Sequence, residues 1–212
     1  MELKELAKNR KAVSRAICAE NPTGEKNKGN ILTEGLNAKA SYDSGLGQGW
    51  KVSPCVLIKA HSKFDICQIE GEGHINHIWF TCDSAFYSSL IFKGYFDDIK
   101  EPCIDTPLGA FFLNGWGRRA NVSSLPICVN PNGGLNSYFV MPFRKKAHLM
   151  MENNGDIDVV LYYQIDYCLD EVLENEMYFH AVYNFVEALN KKTRFNILSK
   201  IDGEGCFVGT YL

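Results

Sequence analysis

The stretch Val159-Val-Leu-Tyr-Tyr-Gln-Ile-Asp-Tyr167 decides the fold class. In an extended chain successive side chains point to opposite faces, so Leu161, Tyr163, Ile165 and Tyr167 share one face while Tyr162, Gln164 and Asp166 share the other. A helix would scatter both sets around its circumference. The first face is apolar enough to be core. The second offers aromatic area together with directional donors and acceptors, which suits a polyhydroxylated ligand such as a sugar. It suits a hydrogen-bond network between sheets or subunits equally well.

Working outward, the same rhythm of short branched and aromatic runs fills the chain after Trp50: VLIKA, FDICQIE, HINHIWFT, SLIFKGYF, SYFVMPF, HLMMEN, DVVLYYQIDY and CFVGTYL. Turn signals separate them at residues 59–62, 71–73, 97–98, 132–134 and 153–155. This pattern predicts an all-β protein, a β-sandwich of jelly-roll type. No repeat of fixed period is visible, which argues against a propeller or solenoid. Ahead of the strands, Leu3, Leu6, Val13 and Ile17 stand near helical spacing among Lys and Arg residues, and an amphipathic helix is expected over residues 1–19. Residues 20–49 are polar and Gly-rich and read as a long loop. Tyr178, Phe179, Val182, Phe185, Val186 and Leu189 fit either a helical stripe or a strand, and a strand is expected over 178–183.

Of the 212 residues, 46% are hydrophobic, enough to build a core and to exclude a disordered chain; residues 20–212 read as one domain. The formal charge of −3 comes with no basic block, so neither nucleic acid nor an anionic membrane is an expected partner. SAFYSSLIF, the longest mostly apolar uncharged run, falls well short of the roughly 20 residues a membrane helix needs. The eight cysteines form no C-x-x-C pair, and the charged opening residues lack a secretory apolar core. Buried, reduced thiols and a cytoplasmic location are therefore expected.

His74 and His77 form an H-x-x-H, but in a regular strand positions three apart point to opposite faces, so no shared metal site is expected. The alternation groups Ile75, His77, Trp79 and Thr81 on one face and His74, Asn76, Ile78 and Phe80 on the other. No Walker loop, dinucleotide fingerprint, G-x-S-x-G or H-E-x-x-H occurs, and no cofactor is expected. Glycoside hydrolysis needs two opposed carboxyl groups, and no diagnostic pair is evident. Glu70 and Glu72 flank a turn, and Glu152 closes a strand.

Taken together, AENPTGEKNKG (19–29), GQGWKVSPCV (47–56), IEGEGHINHIWFT (69–81), TPLGAFFLNGWG (106–117), YFVMPFRKKAHLMMEN (138–153), VVLYYQIDY (159–167), YFHA (178–181) and DGEGCFVGTYL (202–212) resemble the domain-of-unknown-function family 2961, which includes glycoside hydrolase family 172. The resemblance implies action on fructofuranosides, arabinofuranosides and related furanosyl sugars, two jelly rolls per subunit, and homo-oligomers, trimeric or hexameric. This sequence is similar to the first roll. The family's catalytic glutamates lie in G-E-G-E and G-T-E-D strings further downstream, and neither string is present here. The resemblance therefore implies no catalytic residue in this chain, and a second polypeptide that carries the other roll.

Two departures touch the sugar site: Ala110 replaces an acid of the family's P-L-G-D-F-F string, and Val182 and Tyr183 replace a Gln and an Arg. Within the matching strings, the residues expected to contact a sugar are Trp50, Trp79 and Trp116 by stacking, and Asp43, Gln164, Asp166 and His180 through hydroxyl groups. The alternative is a non-catalytic carbohydrate-binding or assembly module. If a second roll normally covers one sheet, the chain alone exposes an apolar patch and associates.

Overall fold

The computed structural model describes residues 8, 11–198 and 201–212. In chain order the strands are β1 (Val13–Cys18), β2 (Val56–Ile58), β3 (Ser62–Glu70), β4 (Gly73–Thr81), β5 (Leu90–Phe96), β6 (Ile104–Pro107), β7 (Val122–Ser123), β8 (Ile127–Asn130), β9 (Gly134–Ser137), β10 (Met141–Phe143), β11 (Lys146–Asn153), β12 (Val159–Leu169) and β13 (Ala181–Val182). Two short helices interrupt them, α1 (Ala38–Asp43) and α2 (Leu108–Phe111).

The strands form two sheets. The larger runs β1-β12-β4-β9-β8-β7, with β10 added to β4 and β2 to β12; the smaller runs β13-β6-β5-β11-β3. All pairings are antiparallel except the two-residue β13 beside β6. The result is a two-sheet β-sandwich, as the alternation predicts. Its core is the interface between the sheets. Ile17, Ile75, Ile78, Phe80, Leu135, Leu161 and Ile165 come from the larger sheet, and Phe92, Phe96, Ile104, Leu149 and Met151 from the smaller. Phe80 sits at the centre, edge-on to Phe92 at 5.4 Å and to Phe112 at 6.1 Å. Burying side chains of this size contributes roughly 1.5–3 kcal/mol each, which is what holds the two layers together.

The N-terminal expectation is corrected. Residues 13–18 form an edge strand paired with β12 from Val13↔Leu169 to Cys18↔Gln164, not a helix. Ile17 enters the core between the half-buried Ala16 and Cys18, as in a strand, while Val13 lies exposed at the start of the strand. Residues 1–7, 9 and 10, the rest of the expected helix, lie outside the described residues. The loop after it holds only α1. At the other end, the strand expected over 178–183 shrinks to Ala181–Val182, no helix forms over 183–190, and CFVGTYL is irregular and exposed. Four thiols are buried as expected, whereas Cys206 is exposed. No helix among the described residues is long and apolar enough to cross a membrane.

One irregularity sets up everything that follows. Asp166 pairs with His77 and Tyr167 pairs with Ile75, so Asn76 has no partner on β12. This bulge shifts the alternation by one, and Ile75, Ile78 and Phe80 all point into the core. His74 and His77 consequently face the same way. The expected grouping of His74 and Asn76 with Ile78 and Phe80 is therefore wrong.

Candidate functional site

The outward face of the larger sheet collects the polar half of β12. Tyr162, Gln164 and Asp166 project there, as the sequence indicates, while Tyr163, Ile165 and Tyr167 are buried. Register brings the other strands in beside them. Across from Asp166 stands His77, across from Gln164 stands Trp79, and on the far side of Trp79 stands Asn136 of β9.

These residues form one hydrogen-bonded group. His77 Nδ1 lies 2.8 Å from Asp166 Oδ2, and its Nε2 lies 3.2 Å from Asn136 Oδ1. Gln164 Nε2 donates to Asp166 Oδ1 at 2.9 Å. Asn136 Nδ2 donates to the carbonyls of Cys128 and Gly134. Tyr138 leaves β9 and folds back, its ring stacked on His77 at 4.8 Å and 14°. Gly134 lets the turn sit close to this group, since a Cβ there would stand 3.3 Å from Trp79 Nε1. The bond to Asp166 moves His77 above the ordinary histidine range; burial opposes that shift, and Asn136 adds to it.

The face is part open and part fixed. Gln164 and Tyr138 are exposed, and Trp79, His77 and Asp166 are half-buried. A flat array of two aromatic rings bordered by an amide, a carboxylate and an imidazole can stack on a sugar ring and exchange hydrogen bonds with its hydroxyls. A model of the GH172 domain-like family matches residues 52–164, a little over half the chain, and the matched span contains His77, Trp79, Asn136, Tyr138 and Gln164. The chain belongs to this family. It is thereby related to the glycoside hydrolases. A search of curated proteins finds no match.

In this GH172-like chain, the outward end of β4 nearest Gly73 is used differently. His74 is buried, with Asp170 Oδ1 2.7 Å from Nδ1 and Glu176 Oε2 3.2 Å from Nε2. Both acids belong to the strap at residues 170–176, which leaves β12 and crosses toward the smaller sheet. Glu72 Oε1 accepts from Val172 N, and Arg144 donates to the carbonyls of Leu173 and Glu176. Glu72 is thus a strap anchor rather than a free turn acid. Beside the strap lies a pocket of about 570 Å³ lined in part by Lys11, Asn76, Val140 and Glu171. The His74 ring lies between Asp170 and Glu176, in the space that a glycosidic oxygen or a water would need between a hydrolytic pair.

A second knot secures the far end of the strap. Asp97 adopts the left-handed conformation, φ 53°, and accepts from the backbone amides of Arg144, Lys145 and Lys146 and from the Tyr178 hydroxyl. Burial raises its carboxyl, but the Tyr178 hydroxyl and the three amides outweigh burial and hold it below the ordinary carboxylate range. Arg144 also lies 5.1 Å from the centre of the Tyr178 ring.

The structure therefore brings together three of the seven expected sugar-contacting residues, Trp79, Gln164 and Asp166. Trp50 and Trp116 are exposed, at 61% and 79%, on separate loops. Asp43 is paired with Lys39 on α1, and His180 is exposed just ahead of β13. None of these four contacts the Trp79 group. His77, Asn136 and Tyr138 belong to the site although the sequence reading did not place them in it. The signal for His77 was present in HINHIWFT, where alternation sets it on the face of Trp79; Asn136 and Tyr138 are identified only by strand register.

Proposed function

We propose that this chain is the sugar-holding part of a glycoside hydrolase-type assembly and that the outward face of its larger sheet binds fructofuranosyl or arabinofuranosyl units. The observation that carries this reading is the convergence of Trp79, Tyr138, Gln164, Asp166, His77 and Asn136 on one solvent-facing patch in a GH172-like chain. Asp166 is the single carboxylate that the described strands contribute to this face, and it is already bonded to His77 and Gln164. Hydrolysis by two carboxyl groups would then draw its pair from outside this face, from a second polypeptide segment.

Titration with methyl β-D-fructofuranoside and methyl α-L-arabinofuranoside, followed by amide chemical shifts, tests the reading. Perturbations centred on Trp79, Gln164 and Asp166, lost in Trp79→Ala, support it. The absence of binding by either glycoside, or binding centred on the Trp50 or Trp116 loop, overturns it.

A second reading, an assembly module, draws on β13 and the irregular segment after it. Val182, Phe185, Val186, Leu189, Ile201, Phe207, Val208 and Leu212 are all exposed there. Apolar surface on this scale favours association, and we propose a homo-oligomer, a trimer or hexamer, with this segment inside the contact. Sedimentation velocity giving only monomer at tens of micromolar would reject it.

A further inference from the structure

His77 faces two acceptors at once. Asn136 directs its side-chain nitrogen at the carbonyls of Cys128 and Gly134, 3.2 and 3.1 Å away, and this fixes the amide so that Oδ1 is the atom offered to His77 Nε2. At the other nitrogen stands the Asp166 carboxylate. A neutral imidazole has one N–H and can satisfy only one of these partners, leaving a lone pair directed at the oxygen of the other. The imidazolium donates to both.

We propose that His77 is a positioning residue whose protonated form assembles the aromatic and carboxylate platform on this face, so that loss of its proton dismantles the platform. The proposal rests on the sugar-binding reading for its biological use but not for its test. With the proton in place, the ring is pinned between Asp166 and Asn136 and gives Tyr138 a flat partner to stack on. The same contact orients Asp166, whose other oxygen receives Gln164 Nε2. Without the proton, one of the two bonds becomes a repulsive contact, the ring is free to turn, and Tyr138 loses its fixed partner.

Among the described residues, Asp166 is the charged group that acts on His77. On β12 the facing titratable group is Asp166. Beyond it, β1 presents Ala16 opposite Asp166. From β9 comes the Asn136 amide, and after β9 the Tyr138 phenol. Along β4 itself, His74 with Asp170 and Glu176 lies past the bulge, and these three are bonded to one another. The elevated proton affinity of His77 agrees with this geometry. By linkage, a group raised in the folded state adds stability that is full below its unfolded value and is lost as pH rises through the folded value.

The experiment uses the full chain and two readouts over pH 5 to 9. Nitrogen-15 signals of the His77 ring report directly whether both nitrogens carry protons, and the Tyr138 ring signals report the stack. The expected result is a doubly protonated ring at low pH. As the proton is lost, the Tyr138 signals should move, whereas in His77→Gln, which keeps a donor but cannot titrate, they should stay unchanged with pH. A ring carrying a single proton throughout, or Tyr138 signals that move with pH equally in His77→Gln, overturns the proposal. Methyl β-D-fructofuranoside is titrated in parallel at both pH extremes. A loss of affinity of about tenfold at high pH in the wild type, the size expected for one charge-assisted bond, extends the gate to the ligand. No binding at either extreme rejects the sugar reading alone, since the ring signals decide the gate by themselves.

Discussion

His74 and His77 lie three residues apart on the same strand, face the same way, and each contacts a carboxylate at one ring nitrogen and a second acceptor at the other. Their surroundings differ completely. His74 is buried beneath the strap, its two acids are bonded to it, and Glu176 also accepts from the Leu173 amide, so the group is a fastening. His77 is half-open beside Trp79 and Tyr138, and the amide and aromatic surface around it remains accessible. An acid–histidine contact is therefore not a mark of function in itself. What separates a site from a brace is whether polar valences and ring faces remain available to solvent once the internal bonds are made.

The comparison can be tested by substitution, beginning with the core that both ends share. Phe80→Ala removes a fully buried ring at the centre of the aromatic cluster and should cost about 3–5 kcal/mol in chemical denaturation. Its effect should reach the fastening and the open patch alike. His74→Ala should cost about 2 kcal/mol by leaving Asp170 and Glu176 without their partner. It should also accelerate hydrogen exchange at Val172 and Leu173 while leaving glycoside shifts at Trp79 in place. Loss of glycoside binding in His74→Ala, with the fold intact, would erase the distinction between the two ends.

Trp79→Ala should show the converse, a stability change within about 1 kcal/mol and a loss of glycoside affinity of about tenfold, the contribution of one stacking surface. The smallest effect concerns the anchor at the other end of the strap. Asp97 is held below the ordinary carboxylate range, so its contribution is present above the unfolded carboxyl value and is lost as pH falls through the lower folded value. Acid titration of stability should lose that component in Asp97→Asn, with the region above pH 5 unchanged in slope.

Strand content and the division of β12 into two faces were legible in the sequence because both depend on local alternation and turn residues. The turn at 71–73 is an example: a Cβ on Gly73 would collide with the Cys168 carbonyl, and the glycine marks that crossing in the sequence. What depended on pairing was not legible. Val13–Cys18 has apolar residues near helical spacing, yet it becomes a strand because the edge of β12 is open to it. CFVGTYL has strand composition and forms none, because no described strand lies alongside it. The short β6 carries few residues and owes its existence to the longer β5 beside it.

The site shows the same division. Gln164 and Asp166 followed from alternation alone, and Trp79 from the outward set of β4. His77 shares the face of Trp79 by the same alternation, the bulge displacing only Ile75 and His74 from their expected faces, and Asn136 and Tyr138 required the position of β9. The prominent tryptophans at 50 and 116 misled because ring size says nothing about where a loop leaves the ring.

Asn76 forms no pair with β12. Deleting that single residue would make Ile75 and His77 neighbours in an unbroken alternation, each keeping its present face. A separation of three residues along the chain thus becomes a separation of two in the sheet, and the brace and the open patch share one surface because the ladder skips a residue.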